Sequence, residues 1–219
     1  MTSAVSEQPA ESPGDDLTPD PPDRSRAPAA SAWWVLIAGA AGLAASVTLT
    51  VEKIDILLNP SYVPSCNINP IVSCGSVMVT QQASVLGFPN SLLGIIGFTV
   101  VLVTGVLGAA KVALPQWYWV GLTVGVLIGA VFVHWLIFQS LYRIGALCPY
   151  CMVVWVVTIS LLVVLASIML RPVLEVAAGP AGTVGRALYL WRWSITALWF
   201  IAVFLLILVR FWNYWSTLF

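Results

Sequence analysis

Apolar runs set the pattern of this chain. Residues 31–51, 91–113, 117–142, 148–170 and 193–211 are five such stretches, separated by polar or turn-rich segments. About 20 residues at 1.5 Å each cross a bilayer's hydrocarbon, so each run is predicted to be a transmembrane helix. Lys111 and Pro115 close the second run, and Arg171-Pro172 stops the fourth. Trp33-Trp34 border the first run, and Trp191, Trp193, Trp212 and Trp215 border the fifth, as interfacial aromatic belts require. Gly121, Gly125 and Gly129 form a four-residue stripe on the third, predicted to let another helix pack closely.

The intervening segments differ in kind. Residues 1–32 are rich in Pro, Ser, Ala and acids and lack aromatics before the boundary tryptophans. Such a segment buries too little apolar surface to offset chain entropy and is expected to be disordered. It also lacks the basic leader and short apolar core of a signal peptide. Residues 52–90 carry Glu52, Lys53, Asp55, several Asn and Pro residues, Cys66 and Cys74. They are expected to form a long polar loop with a short surface helix near 75–85. A long ordered loop tends to be functional. Residues 172–192 are expected to form a second loop, and 193–219 a fifth span with a short tail.

Composition removes the soluble alternative. The chain is 60% apolar, only 8% charged and has a mean hydropathy of +0.96, against roughly 25% charge in soluble domains. Zero net charge gives no electrostatic case for nucleic acid. With the N-terminus in the cytoplasm, Arg24, Arg26, Lys111, Arg171, Arg186 and Arg192 fall inside, and Lys53, Arg143 and Arg210 outside. That excess predicts a cytoplasmic N-terminus. The 52–90 loop and the start of the fourth span then share the outer, oxidising face. In the reverse orientation they would still share one face.

The candidate chemistry lies in four cysteines. Cys148-Pro149-Tyr150-Cys151 is a C-x-x-C at the start of the fourth span. There the free backbone N–H groups and the helix dipole favour a thiolate, and Pro149 needs no hydrogen-bond acceptor. Cys66 and Cys74 stand in the polar loop with seven residues between them. Two pairs on one face point to a relay: a loop pair that swings between an external protein and the membrane surface, and a helix pair at the membrane edge. Two static disulfides are the alternative, which would make the chain a small membrane scaffold or transporter subunit. A C-x-x-C closed on itself constrains too few residues to staple much. A four-cysteine zinc site is disfavoured by the loop pair's spacing and the oxidising compartment, so no metal is expected. Electrons leaving the helix pair inside a membrane need a lipid-soluble acceptor, for which a quinone is the natural choice. His134, the only histidine, is read as a hydrogen-bonded packing residue.

On Cys66, Cys74, the 87–94 segment Gly-Phe-Pro-Asn-Ser-Leu-Leu-Gly and Cys148-Pro149-Tyr150-Cys151, the chain resembles the vitamin K epoxide reductase family, in particular its actinobacterial-type members without a fused thioredoxin domain. The resemblance covers about 33–171. It implies an all-α integral membrane protein, a four-helix bundle around a quinone, plus a fifth transmembrane helix. It further implies that Cys66 and Cys74 take electrons from a separate thioredoxin-fold (DsbA-like) protein. Cys148 then exchanges with Cys74, and Cys151 reduces the quinone. Asn90 matches the family's quinone-contacting Asn, with Ser91, Phe88 and Trp155 as further candidate contacts. Trp155 stands where vertebrate members have Tyr, leaving an N–H donor and no acceptor. The actinobacterial likeness favours menaquinone over ubiquinone. The implied activity is thiol:quinone oxidoreduction in the cell membrane in support of disulfide bond formation.

Overall fold

A computed structural model describes residues 29–176 and 179–216. The elements in chain order are α1 (Ala29–Leu58), α2 (Cys74–Met78), a 3-10 turn (Gln81–Ser84), α3 (Asn90–Ala109) and α4 (Gln116–Gln139). A π-helical turn (Ser140–Ile144), α5 (Pro149–Val176), α6 (Gly179–Arg210) and α7 (Trp212–Trp215) follow. Among the described residues five helices are long and apolar enough to cross a membrane, which makes this an all-α, multi-pass membrane protein.

Three boundaries differ from expectation. First, α1 runs past 51 to Leu58, so Glu52, Lys53 and Asp55 are helical and not part of the loop. These charges mark where α1 leaves the bilayer, and the helix stops only at Asn59-Pro60, where the Asn59 N–H closes on Asp55 O at 2.9 Å. Second, α5 continues through Arg171-Pro172 to Val176. A proline removes one backbone hydrogen bond, and here that does not end the helix. Third, most of the expected 172–192 loop is the first part of α6. Gly179 has φ +84°, a conformation that favours glycine, and Pro180 fits the first helical position that follows. Of the expected disordered segment, 1–28 lies outside the described residues and 29–32 is helical.

The glycines also divide differently. At Gly39 a Cβ would sit 2.6 Å from the Leu102 backbone nitrogen, and one at Gly105 would meet the Leu36 backbone. Glycines on α1 and α3 thus allow these two helices to touch backbone to backbone. By contrast, a Cβ at Gly121, Gly125 or Gly97 would meet nothing within 4 Å. The α4 stripe is therefore not a packing seam. It faces a cavity.

The membrane core forms where α1, α3, α4 and α5 meet around Val35, Phe98, Trp119, Leu161 and Leu165. A second cluster joins Ile71 of the cysteine loop to Leu141, Leu147 and Trp155, and to Ile207 and Phe211 at the end of α6. Arg210 donates from Nε to Leu141 O at 2.9 Å. The fifth helix thus braces the π turn that leads into the C-x-x-C. His134 Nδ1 lies 2.7 Å from Ala130 O and its ring meets Trp199 edge-on, a packing role as expected.

Candidate functional site

The cysteine loop is tied down. Glu52, only 5% exposed, accepts from the Tyr62 hydroxyl at 3.0 Å and from the Ser65 N–H and hydroxyl, immediately before Cys66. Asn69 Oδ1 accepts from the Ile71 and Val72 N–H groups and turns the chain. Val72 then pairs with Leu147 in a parallel bridge, carried by Leu147 N–H to Ile71 O at 2.7 Å and Ser73 N–H to Leu147 O at 2.9 Å. Ser73 caps α2 by accepting from the Ser76 N–H, so Cys74 opens that helix. On the other strand of the bridge, Gly145 at φ +69° ends the π turn and Cys148 follows Leu147. The bridge delivers Cys74 and Cys148 to the same point.

Cys66 and Cys74 are joined in a disulfide. Cys148 Sγ lies 3.2 Å from Cys74 Sγ, and both residues are fully buried. Cys148 and Cys151 are free thiols. Cys148 sits one residue before the span that starts at Pro149. A side-chain hydrogen bond with Cys151 holds its thiol below the ordinary value of 9.0. Burial opposes that shift, and the Cys151 and Tyr150 backbone N–H groups reinforce it. Cys66 is only 5% exposed, so the loop is docked where the sequence alone led to a swinging one.

Beside Cys151 lies a cavity of about 580 Å³ between α1, α3, α4 and α5. Its wall is largely apolar, with Phe98, Val101, Leu122 and Val126 among its residues, and the glycine stripe Gly121, Gly125 and Gly129 widens it. That volume is within the range of small-molecule sites. Trp155 lines it, is 4% exposed, and its Nε1–H has no hydrogen-bond partner among the described residues. A buried donor without a partner costs free energy, so a ligand carbonyl in this cavity fits the wall it would meet.

The other expected contacts separate. Asn90 lines the cavity, yet its side chain does not cap α3. Its Nδ2 donates to Gln82 O at 2.7 Å and its Oδ1 accepts from the Val85 N–H, which latches the 3-10 turn over the cavity. Ser91 also lines it and accepts from the Thr50 hydroxyl at 2.8 Å. Phe88 is 39% exposed and is not among the wall residues; Gly87 at φ +84° turns the chain just before it. No metal-binding cluster of His, Cys, Asp and Glu occurs among the described residues. Glu52, Lys53 and Arg210 were not singled out from the sequence. The only signal was a charge pair at the end of an apolar run, which reads as ordinary helix-end polarity.

A helical membrane bundle that holds a disulfide against a dithiol, beside an apolar cavity, defines a membrane thiol–disulfide exchange protein. The vitamin K epoxide reductase family profile matches residues 33–166, well over half of the chain, and the protein belongs to that family. Members are membrane thiol–disulfide oxidoreductases that generally use quinones and typically work with a thioredoxin-like partner. No curated protein matches the chain.

Proposed function

We propose that the protein is a thiol:quinone oxidoreductase that reoxidises an extracytoplasmic thioredoxin-fold (DsbA-like) disulfide catalyst, with menaquinone as acceptor. In this reading the N-terminus is cytoplasmic and the cysteines face outward. Residues 33–171 are the redox domain. The observation that carries it is the contact of Cys148 Sγ with Cys74 Sγ at 3.2 Å, with Cys151 three residues on and lining the cavity.

Electrons enter when a thiolate of the partner attacks the Cys66–Cys74 disulfide. The docked loop must open for that, because Cys66 is buried. Cys74 of the reduced loop pair then attacks Cys148 of a Cys148–Cys151 disulfide and frees Cys151, and Cys66 attacks Cys74 in turn, which restores the loop disulfide and releases Cys148. The resulting Cys148/Cys151 dithiol closes to a disulfide as two electrons and two protons pass to the quinone, giving the hydroquinone. A quinone is the two-electron acceptor here. The protein supplies an apolar slot, the Trp155 N–H toward one carbonyl, and Asn90, whose second amide N–H is available beyond the bond to Gln82 O.

The test is reconstitution of the full chain with a reduced thioredoxin-fold protein and a short-tailed naphthoquinone, followed by quinone absorbance. Protein-dependent quinone loss that disappears in Cys151→Ala is expected. No quinone loss, or full activity in that variant, overturns the proposal.

A further inference from the structure

We propose that Lys53 is a catalytic residue of the quinone half-reaction, the cation that stabilises the negative charge developing on the quinone oxygen. This rests on the quinone reading above and assigns a residue to it.

Lys53 contributes the one charged side chain to the cavity wall among the described residues. It is placed there by the extension of α1 beyond 51, two turns after Ser46, which lines the same wall. Its Nζ donates to Met78 O at 2.6 Å, the last residue of α2. Met78 packs in the cluster that holds Cys74 and Cys148, against which Cys151 also packs. The ammonium therefore lies at the dithiol end of the cavity, with Gln82 and Asn90 beside it in the wall. Met78 O uses one of its three N–H groups, and two remain to point into the cavity. The neighbouring Glu52 carboxylate does not pair with it. It accepts instead from Tyr62 and Ser65.

The chemistry needs such a group. The Cys148/Cys151 dithiol loses two electrons and two protons to form its disulfide, and the quinone gains both pairs to become the hydroquinone. A quinone bound here would build up negative charge on one carbonyl oxygen wherever its reduction runs ahead of its protonation. In an apolar cavity that charge has no water to solvate it, and a fixed cation is worth far more there than in water. An ammonium held by a backbone carbonyl is already oriented when the charge forms. It also gives the proton a nearby carrier between thiol and oxygen.

The alternative role is structural: the bond to Met78 O fixes α2 and hence Cys74. Two half-reactions separate the roles. Pre-reduced, desalted full-length protein is mixed with a short-tailed naphthoquinone, and loss of quinone absorbance is followed in a single turnover. In parallel, Cys74–Cys148 linkage formation is followed by acid quench and mass mapping in a Cys151→Ala background. Lys53→Gln removes the charge while keeping an amide donor for Met78 O. It is expected to slow quinone loss about 100-fold, the scale of one lost oxyanion donor, with linkage formation within about threefold of its parent. Lys53→Arg is expected to recover most of the rate. If wild-type protein itself does not reduce the quinone, the proposed function fails. If it does, the Lys53 assignment is overturned by Lys53→Gln reducing quinone at the wild-type rate, or by both half-reactions slowing together.

Discussion

Cys148 touches both halves of the relay, and its thiolate is the reactive form. Its value is held below 9.0 chiefly by the Cys151 side chain. Its exchange should therefore persist at pH values where an ordinary thiol is protonated, and should fall as the pH drops through that lowered value. Cys151→Ala removes the donor, whereas Cys151→Ser keeps an O–H. Both variants should accumulate the Cys74–Cys148 linkage, with the pH midpoint of its formation higher for Ala than for Ser. Identical profiles would show that Cys151 does not tune Cys148. The Trp155 N–H offers a second residue-scale test. Trp155→Phe loses one hydrogen bond to the substrate, about 1 kcal/mol, or roughly a fivefold rise in quinone KM. Cys74–Cys148 exchange should not change. An unaltered KM would remove Trp155 from the substrate contacts.

At the scale of elements, the glycine stripe of α4 makes a clear prediction. The sequence pattern alone reads Gly121, Gly125 and Gly129 as a packing seam, since small residues at four-residue spacing serve that purpose in most membrane helices. The structure puts the close approach on Gly39 and Gly105 instead and leaves the stripe open to the cavity. Gly125→Leu should then leave the Cys66–Cys74 disulfide and thermal stability near wild type while filling the cavity and raising the quinone KM strongly. Unfolding of that variant, checked by melting in detergent, would restore the packing reading. The fifth helix has an element-scale role too. Arg210→Met leaves Leu141 O without its donor, at a cost of about 1–3 kcal/mol, and slackens the turn ahead of Cys148. It should lower the melting temperature and slow Cys74–Cys148 exchange together. Exchange at the wild-type rate in a destabilised variant would limit this helix to stability.

For the whole molecule, the spans and the meeting of the two cysteine pairs were legible in the sequence, for physical reasons. A bilayer demands long apolar helices, so hydropathy alone locates them. Two loops on either side of an antiparallel helix pair must emerge on one face, so both cysteine pairs could be placed on that face without coordinates, and the Cys74–Cys148 meeting was implied by the family resemblance. What escaped was whatever depends on side chains meeting across the chain. Glu52 and Lys53 looked like the start of a loop because charge marks the end of a membrane span, and nothing local says that the helix continues. The docked state of the loop depends on Glu52 meeting Ser65, and on Val72 meeting Leu147 seventy-five positions away. Phe88 follows a glycine with positive φ, and the exposed position it takes there could not be read from the sequence. Asn90 was seen as a ligand contact, and its bond to Gln82 O required the folded 3-10 turn.

The central claim is that electrons pass from the loop pair through Cys148 and Cys151 to a quinone in the adjacent cavity. The most direct measurement is a single turnover of pre-reduced, full-length protein in lipid nanodiscs against a short-tailed naphthoquinone, with quinone absorbance and alkylation mapping of all four cysteines read on the same time course. The Cys148–Cys151 disulfide should appear at the rate of quinone loss and the Cys66–Cys74 disulfide afterwards. Cys66–Cys74 forming first, or quinone loss without a Cys148–Cys151 disulfide, would contradict the account.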